Sequence, residues 1–239
     1  MTTATMTTHH KQPPTSRSQD RILIVEDHVL FAETLDLALS VEGYDVRRVD
    51  VPEDGGSAST LMTSLLRLRP RIVLLDLDLG TFGDGVRLIA PLAKAGANVV
   101  VVTASADRGR WGEALRHGAR ATLSKSQPLN DILATVRRIN AGLPVMTYEQ
   151  REDLLRAWHE QRRETQGIHD RFAQLTAREG QVLGHLMLGH TVHDIAVASV
   201  VSEATVRTQV KSILAKLHVS SQLAAVGLAH QIGWRAPSL

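Results

Sequence analysis

The sequence predicts an α/β domain built on a doubly wound five-stranded parallel sheet, joined by a helical linker to a small all-α domain of four helices. Three observations lead there. Between residues 21 and 141, short runs of branched apolar residues alternate with amphipathic stretches. Five such repeats in about 120 residues call for parallel strands with helices on both faces. After residue 141 the apolar runs stop, and from residue 175 onward the periodicity is purely helical.

Residues 1–19 are rich in Thr, Ser, Pro and His without periodicity, and a disordered tail is expected there. His9-His10 is read as part of that tail and not as a metal site. Strands are expected near residues 21–25, 45–50, 71–75, 98–102 and 120–123. Helices are expected near 28–42, 57–68, 85–95, 108–117 and 129–141. Gly43, Gly96 and Gly118 each follow a helical stretch closely, as a left-handed helix stop requires.

Residues 142–171 change character. Gly142 and Pro144 open the segment, and Gln, Glu, Arg and Leu dominate it from Tyr148 to Thr165. A polar linker with a solvated helix is expected, with a latch or dimer contact through Leu154, Leu155 and Trp158 as the alternative. Beyond it, helices are expected near 176–188, 192–198, 203–217 and 221–232. Ser202 is a natural N-cap for the third of these. Within that helix Val206, Val210, Ile213, Leu214 and Leu217 form one apolar stripe, while Arg207, Thr208 and Lys211 fall on another face. Small helices with a cationic face suggest a helix-turn-helix module.

The bulk composition narrows the function. The chain has 239 residues, 43% of them hydrophobic but only 3% aromatic, so its cores must rest on Leu, Val, Ile and Ala. Cysteine is absent, which excludes disulfides and thiolate metal sites. The apolar runs are far too short to span a membrane, and no signal-peptide core opens the chain, so a cytoplasmic protein without membrane contact is expected. The overall net charge of +2 decides nothing, but residues 172–239 carry 5 Lys/Arg against 3 Asp/Glu, which permits contact with nucleic acid.

The chemistry gathers where strands end. Ile22-Leu23-Ile24-Val25 stops at Glu26-Asp27, Ile72-Val73-Leu74-Leu75 at Asp76, Val99-Val100-Val101-Val102 at Thr103, and Ala121-Thr122-Leu123-Ser124 at Lys125. If these strands are parallel neighbours, three carboxylates, a hydroxyl and an ammonium meet at one sheet edge. Mg²⁺ takes oxygen ligands and keeps several waters, so Glu26, Asp27 and Asp76, with the backbone carbonyl of Asp78, make a sufficient ligand set. A carboxylate in such a pocket can accept a phosphoryl group. Lys125 and Thr103 would then contact phosphoryl oxygens.

These stretches, together with His28, Leu77-Asp78 and Ala104, resemble the receiver domain of two-component response regulators over residues 20–141. The resemblance implies a flavodoxin-like fold and a Mg²⁺ requirement. It also implies that Asp76 accepts a phosphoryl group from a sensor histidine kinase, and that Thr103 moves toward the phosphate on activation. Two positions depart from that pattern. Thr122 stands where an aromatic switch residue is usual, three residues before the lysine, so activation is expected to be signalled differently at that surface. The loop Leu79-Gly80-Thr81-Phe82-Gly83-Asp84-Gly85 lacks the usual Met-Pro pair.

Leu175-Thr176-Ala177-Arg178-Glu179, Gly189, Ile195-Ala196, Ser202-Glu203-Ala204-Thr205-Val206-Arg207 and Lys216-Leu217 resemble the LuxR-type helix-turn-helix domain over residues 172–239. With the receiver they resemble the NarL subfamily. The resemblance implies double-stranded DNA as partner, with contacts from Arg207, Thr208 and Lys211 and from the neighbouring Thr205 and Lys216. Gln209, Ser199 and Gln222 depart from common residues of that family.

The expected protein is therefore a phosphorylation-dependent transcriptional regulator, not an enzyme, that forms a homodimer when active. In the expected mechanism the unmodified receiver hides the helix at 203–217, and phosphorylation frees it. Three alternatives stand beside it. One is an atypical regulator working by constitutive dimerisation, suggested by Thr122. Another is a phosphohydrolase resembling the haloacid-dehalogenase type, suggested by Asp76-Leu77-Asp78. The third is a protein-interaction receiver whose C-terminal helices bind a protein rather than DNA.

Overall fold

The computed structural model describes residues 21–51 and 57–236. The expected tail at 1–19, with its two histidines, lies outside them. Contacts divide the chain into two units, residues 1–158 and 159–239.

The first unit is a five-stranded parallel sheet flanked by helices. Its strands are β1 (Arg21–Val25), β2 (Asp45–Val49), β3 (Ile72–Leu75), β4 (Asn98–Thr103) and β5 (Ala121–Ser124), in the order β2-β1-β3-β4-β5. The helices are α1 (Val29–Val41), α2 (Ala58–Arg67), α3 (Val86–Lys94), α4 (Arg108–Arg116) and α5 (Leu129–Asn140). Burial explains the composition of the strands. β3 is buried at every position, and β1 and β4 everywhere but their first residue, so both faces of the inner strands must be apolar. Edge strand β2 instead exposes Arg47 and Arg48.

Alternation along each strand sends side chains to two separate cores. Leu23, Val25, Val73, Leu75, Val99 and Val101 pack with residues of α2, α3 and α4. Ile22, Ile24, Ile72, Leu74, Val100 and Val102 pack with residues of α1 and α5. After β1 the chain goes to β2 on one side, and from β3 it goes to β4 and β5 on the other. The crevice at the carboxyl ends of β1 and β3 is therefore the topological switch point, where ligands enter sheets of this kind.

A 26-residue helix, α6 (Tyr148–Ala173), occupies most of the expected linker. It belongs to both units. Up to Trp158 it is part of the first, where Leu154 is buried in the same core as α4 and Leu155 packs against it. Gly112 of α4 permits this approach, because a Cβ there would lie 2.1 Å from the Leu154 carbonyl oxygen. The guanidinium of Arg151 donates to the Leu115 carbonyl at 3.1 Å. The solvated-helix expectation thus fails for this part of α6, where Leu154 and Leu155, named in the alternative reading, pack on the core of the first unit.

The second unit contains the end of α6 with α7 (Ala177–Met187), α8 (Val192–Ser199), α9 (Glu203–Leu217) and α10 (Gln222–Gln231). Ile168 and Phe172 of α6 are buried here among Val182, Leu183, Ile195 and the α9 stripe Val206, Val210, Ile213 and Leu217. Helix starts follow local chemistry. Thr176 and Thr191 each form a reciprocal capping box, with Glu179 and Asp194. Ser202 and Ser221 each cap with the side-chain oxygen. The α8–α9 turn is closed by Val200 at φ 54°, a left-handed conformation for a β-branched residue.

Candidate functional site

The strand ladder builds the first site. Val25 pairs with Leu75 across β1 and β3, so Glu26 and Asp76, each the next residue, stand side by side. The Asp76 amide donates to the Val25 carbonyl at 3.0 Å and holds that register. β4 ends at Thr103 beside Ser124, and the Lys125 amide donates to the Thr103 carbonyl at 2.8 Å. The Lys125 ammonium then reaches back across the sheet edge. It lies 2.7 Å from an Asp76 oxygen and 2.7 Å from the Glu26 carboxylate. The Phe31 ring lies 5.2 Å from the same ammonium.

Three of these groups are nearly enclosed: the side chains of Asp76, Glu26 and Lys125 are 2%, 3% and 13% exposed. Burial pushes the Glu26 carboxyl above its usual range, against the pull of Lys125. Burial by itself would lower the Lys125 ammonium, but its hydrogen bonds to Asp76 and Glu26 outweigh that and raise it. One cation thus lies between two buried anions.

Asp27 and His28 complete the group at its exposed side. The His28 ring nitrogen Nδ1 lies 3.1 Å from Glu26 Oε1 and 2.9 Å from Asp27 Oδ1, and the hydrogen bond to Glu26 chiefly raises the imidazole's pKa. Ligand atoms of Glu26, Asp27, His28 and Asp76 all lie within 4.8 Å of one another. Three carboxylates at that spacing suit a hard, oxygen-seeking divalent cation, so the residues fit Mg²⁺. His28 was outside the set expected from sequence. Its place directly after Glu26-Asp27 was the signal available.

The remaining expected residues are placed as follows. The Asp78 amide donates to Asp76 Oδ1 at 3.2 Å, while its exposed carboxylate is not part of the acidic group. Thr103 is buried, and its hydroxyl oxygen accepts from the Ser105 amide at 3.2 Å. The loop without the Met-Pro pair forms a short 3-10 turn, Gly80–Phe82. It folds back so that the Gly85 amide donates to the Leu77 carbonyl at 2.8 Å. Any side chain at Gly85 would collide with the Asp76 carbonyl, 2.3 Å from its Cβ position.

The second site is α9. Its apolar stripe is buried, which leaves Thr205, Arg207, Thr208 and Lys211 exposed. Arg207 forms an ion pair with Glu203 at 3.0 Å, and the Thr208 hydroxyl donates to the Ala204 carbonyl at 2.9 Å. The Lys216 ammonium is engaged within the unit. It lies 2.6 Å from a Glu179 oxygen and 3.1 Å from the Gln174 carbonyl. Ser212 donates to the other Glu179 oxygen at 2.6 Å. Glu179 is buried, which alone would raise its pKa. Bonds from Lys216, Ser212 and Thr176 instead lower it to about 2. Lys216 therefore fastens α9 to α7.

An acidic cluster closed by a lysine at the switch point of a doubly wound sheet, in one chain with a helix-turn-helix unit, defines a class of protein, and comparison with known proteins identifies it. Residues 22–137 match the response regulator receiver domain, and residues 173–229 match the bacterial regulatory proteins of the luxR family. The chain is a DNA-binding transcriptional response regulator of a two-component system. Within that class it belongs with the LuxR/NarL-type regulators. It is 25% identical over 216 residues to the uncharacterized transcriptional regulatory protein YvfU of Bacillus subtilis, covering 90% of this chain and 98% of YvfU. It is 27% identical over 213 residues to the response regulator protein VraR of Staphylococcus epidermidis, covering 88% of this chain and 96% of VraR. Among solved structures, the RcsB–DNA complex matches 89% of this chain and 98% of RcsB, at 22% identity and a TM-score of 0.45. No single helix among the described residues is long and apolar enough to cross a membrane.

Proposed function

We propose that Asp76 accepts a phosphoryl group from a phosphohistidine of a sensor histidine kinase, in a Mg²⁺-dependent reaction, and that this modification controls DNA binding by α9. The observation that carries the reading is the convergence of Lys125 on both Asp76 and Glu26 at the switch point of the sheet. Glu26, Asp27 and Asp76, with the Asp78 carbonyl, would hold the cation. Bound there, Mg²⁺ supplies positive charge that offsets the repulsion between an anionic nucleophile and an anionic phosphoryl group.

This chain's own residues do the rest. An Asp76 oxygen attacks phosphorus while the bond to the donor imidazole breaks, and the carboxylate becomes an acyl phosphate. Lys125 already bonds to Asp76, so its ammonium is positioned to follow the new negative charge onto a phosphoryl oxygen. The Thr103 hydroxyl accepts from the Ser105 amide, which leaves its own proton to donate.

Arg207 and Lys211 are four residues apart on one exposed face of α9, with Thr205 and Thr208 beside them. That face reads the major groove, and Arg207 must exchange Glu203 for a phosphate or guanine edge. One such face neutralises few phosphates and so binds weakly. Two copies on a symmetric site roughly double the salt dependence and raise occupancy. A homodimer is therefore the active form. The exposed Leu30, Leu37 and Val41 of α1, on one stripe, offer an apolar surface for it. The domains are taken as residues 20–141, a linker at 142–171, and residues 172–239. A chain with this task works in the cytoplasm.

The test is acetyl phosphate with saturating Mg²⁺, followed by intact-mass measurement, light scattering and DNA titration. One phosphoryl group per chain, absent from Asp76→Asn and accompanied by dimerisation and tighter DNA binding, is expected. A chain that takes up no phosphoryl group with metal present, or an Asp76→Asn variant that gains the same mass, refutes the reading.

A further inference from the structure

On β5, Ala121 packs in the core under α1 and α5, and Leu123 packs against that core. Thr122 lies between them, so strand alternation turns it to the opposite face, toward α4 and the first turns of α6. There it lines a cavity of about 310 Å³ with Trp111 of α4, Met146, and Leu154 of α6. An aromatic side chain at 122 would occupy part of this space, but threonine leaves it open. The Thr122 side chain is also chemically unsettled. The residue is 5% exposed, and its hydroxyl has no hydrogen-bond partner among the described residues. A buried polar group in that condition calls for a partner.

The exposed part of the lining gives the sign of the charge. Arg108 and Asp153 both line the cavity. Asp153 is already paired with Arg156. Arg108 has no ion pair among the described residues, so the charge left unanswered is positive. Trp111 gives its indole N–H to the Ser105 carbonyl at 2.9 Å, so what remains is the apolar ring. The size is adequate, since about 150 Å³ of apolar cavity holds a benzene ring.

We infer that this cavity is a binding site for a small aromatic carboxylate of one or two rings, whose ring takes the place of the missing aromatic side chain. The ring packs between Trp111 and Leu154, the buried Thr122 hydroxyl donates to a polar ligand atom, and Arg108 faces the carboxylate. Because Met146 and Leu154 also line the cavity, the ligand contacts the segment that leads from the receiver. Such a site makes the receiver responsive to a metabolite as well as to a kinase.

The test is saturation-transfer NMR on the full chain with benzoate and with indole-3-acetate, using neutral indole as control. Saturable binding of at least one carboxylate with a Kd below about 1 mM is expected. Thr122→Tyr fills the space and should weaken binding at least about tenfold, and Thr122→Val should weaken it several-fold by removing only the hydroxyl. Arg108→Ala, at an exposed position, should weaken the carboxylates but leave indole unchanged. Absence of saturable binding by both carboxylates overturns the inference, as does unchanged affinity in Thr122→Tyr. A Thr122→Tyr chain that changes its mass in solution, with no ligand bound by wild type, also overturns it and marks the surface as an interface between copies. If Thr122→Tyr does not fold, the Thr122→Val and Arg108→Ala titrations decide.

Discussion

Glu179→Gln isolates the interaction that holds α9 in place against α7. In the wild type, one carboxylate caps α7 at Thr176 and accepts from both Ser212 and Lys216 of α9. A folded pKa of about 2 against an ordinary value of 4.5 corresponds to about 3 kcal/mol of preference for the charged form. Lys216 remains 30% exposed, and water screens part of that, so about 2 kcal/mol is the expected loss at neutral pH. The folded pKa is depressed. The contribution is therefore complete above the unfolded value near 4.5 and disappears as pH falls through about 2. Amide exchange at the buried Val210 and Ile213 reads the opening free energy of this unit. The difference between wild type and variant should be constant above about pH 5 and vanish near pH 2. A difference below about 1 kcal/mol at pH 7, or one that does not depend on pH, would refute the coupling.

Other perturbations have definite outcomes. Gly112→Ala puts a Cβ 2.1 Å from the Leu154 carbonyl oxygen, so residues 148–158 should lift from α4 at a cost of about 2 kcal/mol, seen as faster amide exchange confined to that stretch. Val200→Gly should raise thermal stability by about 1 kcal/mol, because it relieves a left-handed valine that is 91% exposed and has little packing to lose. Lys125→Ala leaves the buried Glu26 and Asp76 as adjacent anions, at a cost of about 3 kcal/mol in chelator. Added Mg²⁺ should restore more melting temperature to this variant than to wild type, and equal responses would remove the argument for a shared charge site.

Local chemistry made much of this protein readable. The inner strands announce themselves because burial on both faces admits only branched apolar residues, and their carboxyl ends mark where Glu26, Asp76, Thr103 and Lys125 must lie. The α9 stripe is equally plain, since one buried face of a helix imposes its period on Val206, Val210, Ile213 and Leu217. Other features depend on residues far apart in the chain, and no local pattern encodes them. Lys216 carries the same charge as Lys211, yet Glu179, 37 positions away, turns it inward. Leu154 stood out in the sequence as one possible contact of α6, but what it docks on depends on an absent side chain at Gly112. Thr122 was visible as an unusual residue, but that it leaves a cavity with an unanswered hydroxyl follows only from the packing of α4 and α6 around β5. The amino-acid order by itself determined the elements, their caps and the ends of the strands, because those answer to period and to neighbouring residues. Only the tertiary structure decided which charges meet and which spaces stay open, because Coulomb and packing forces act over distances in space that the chain's numbering does not measure.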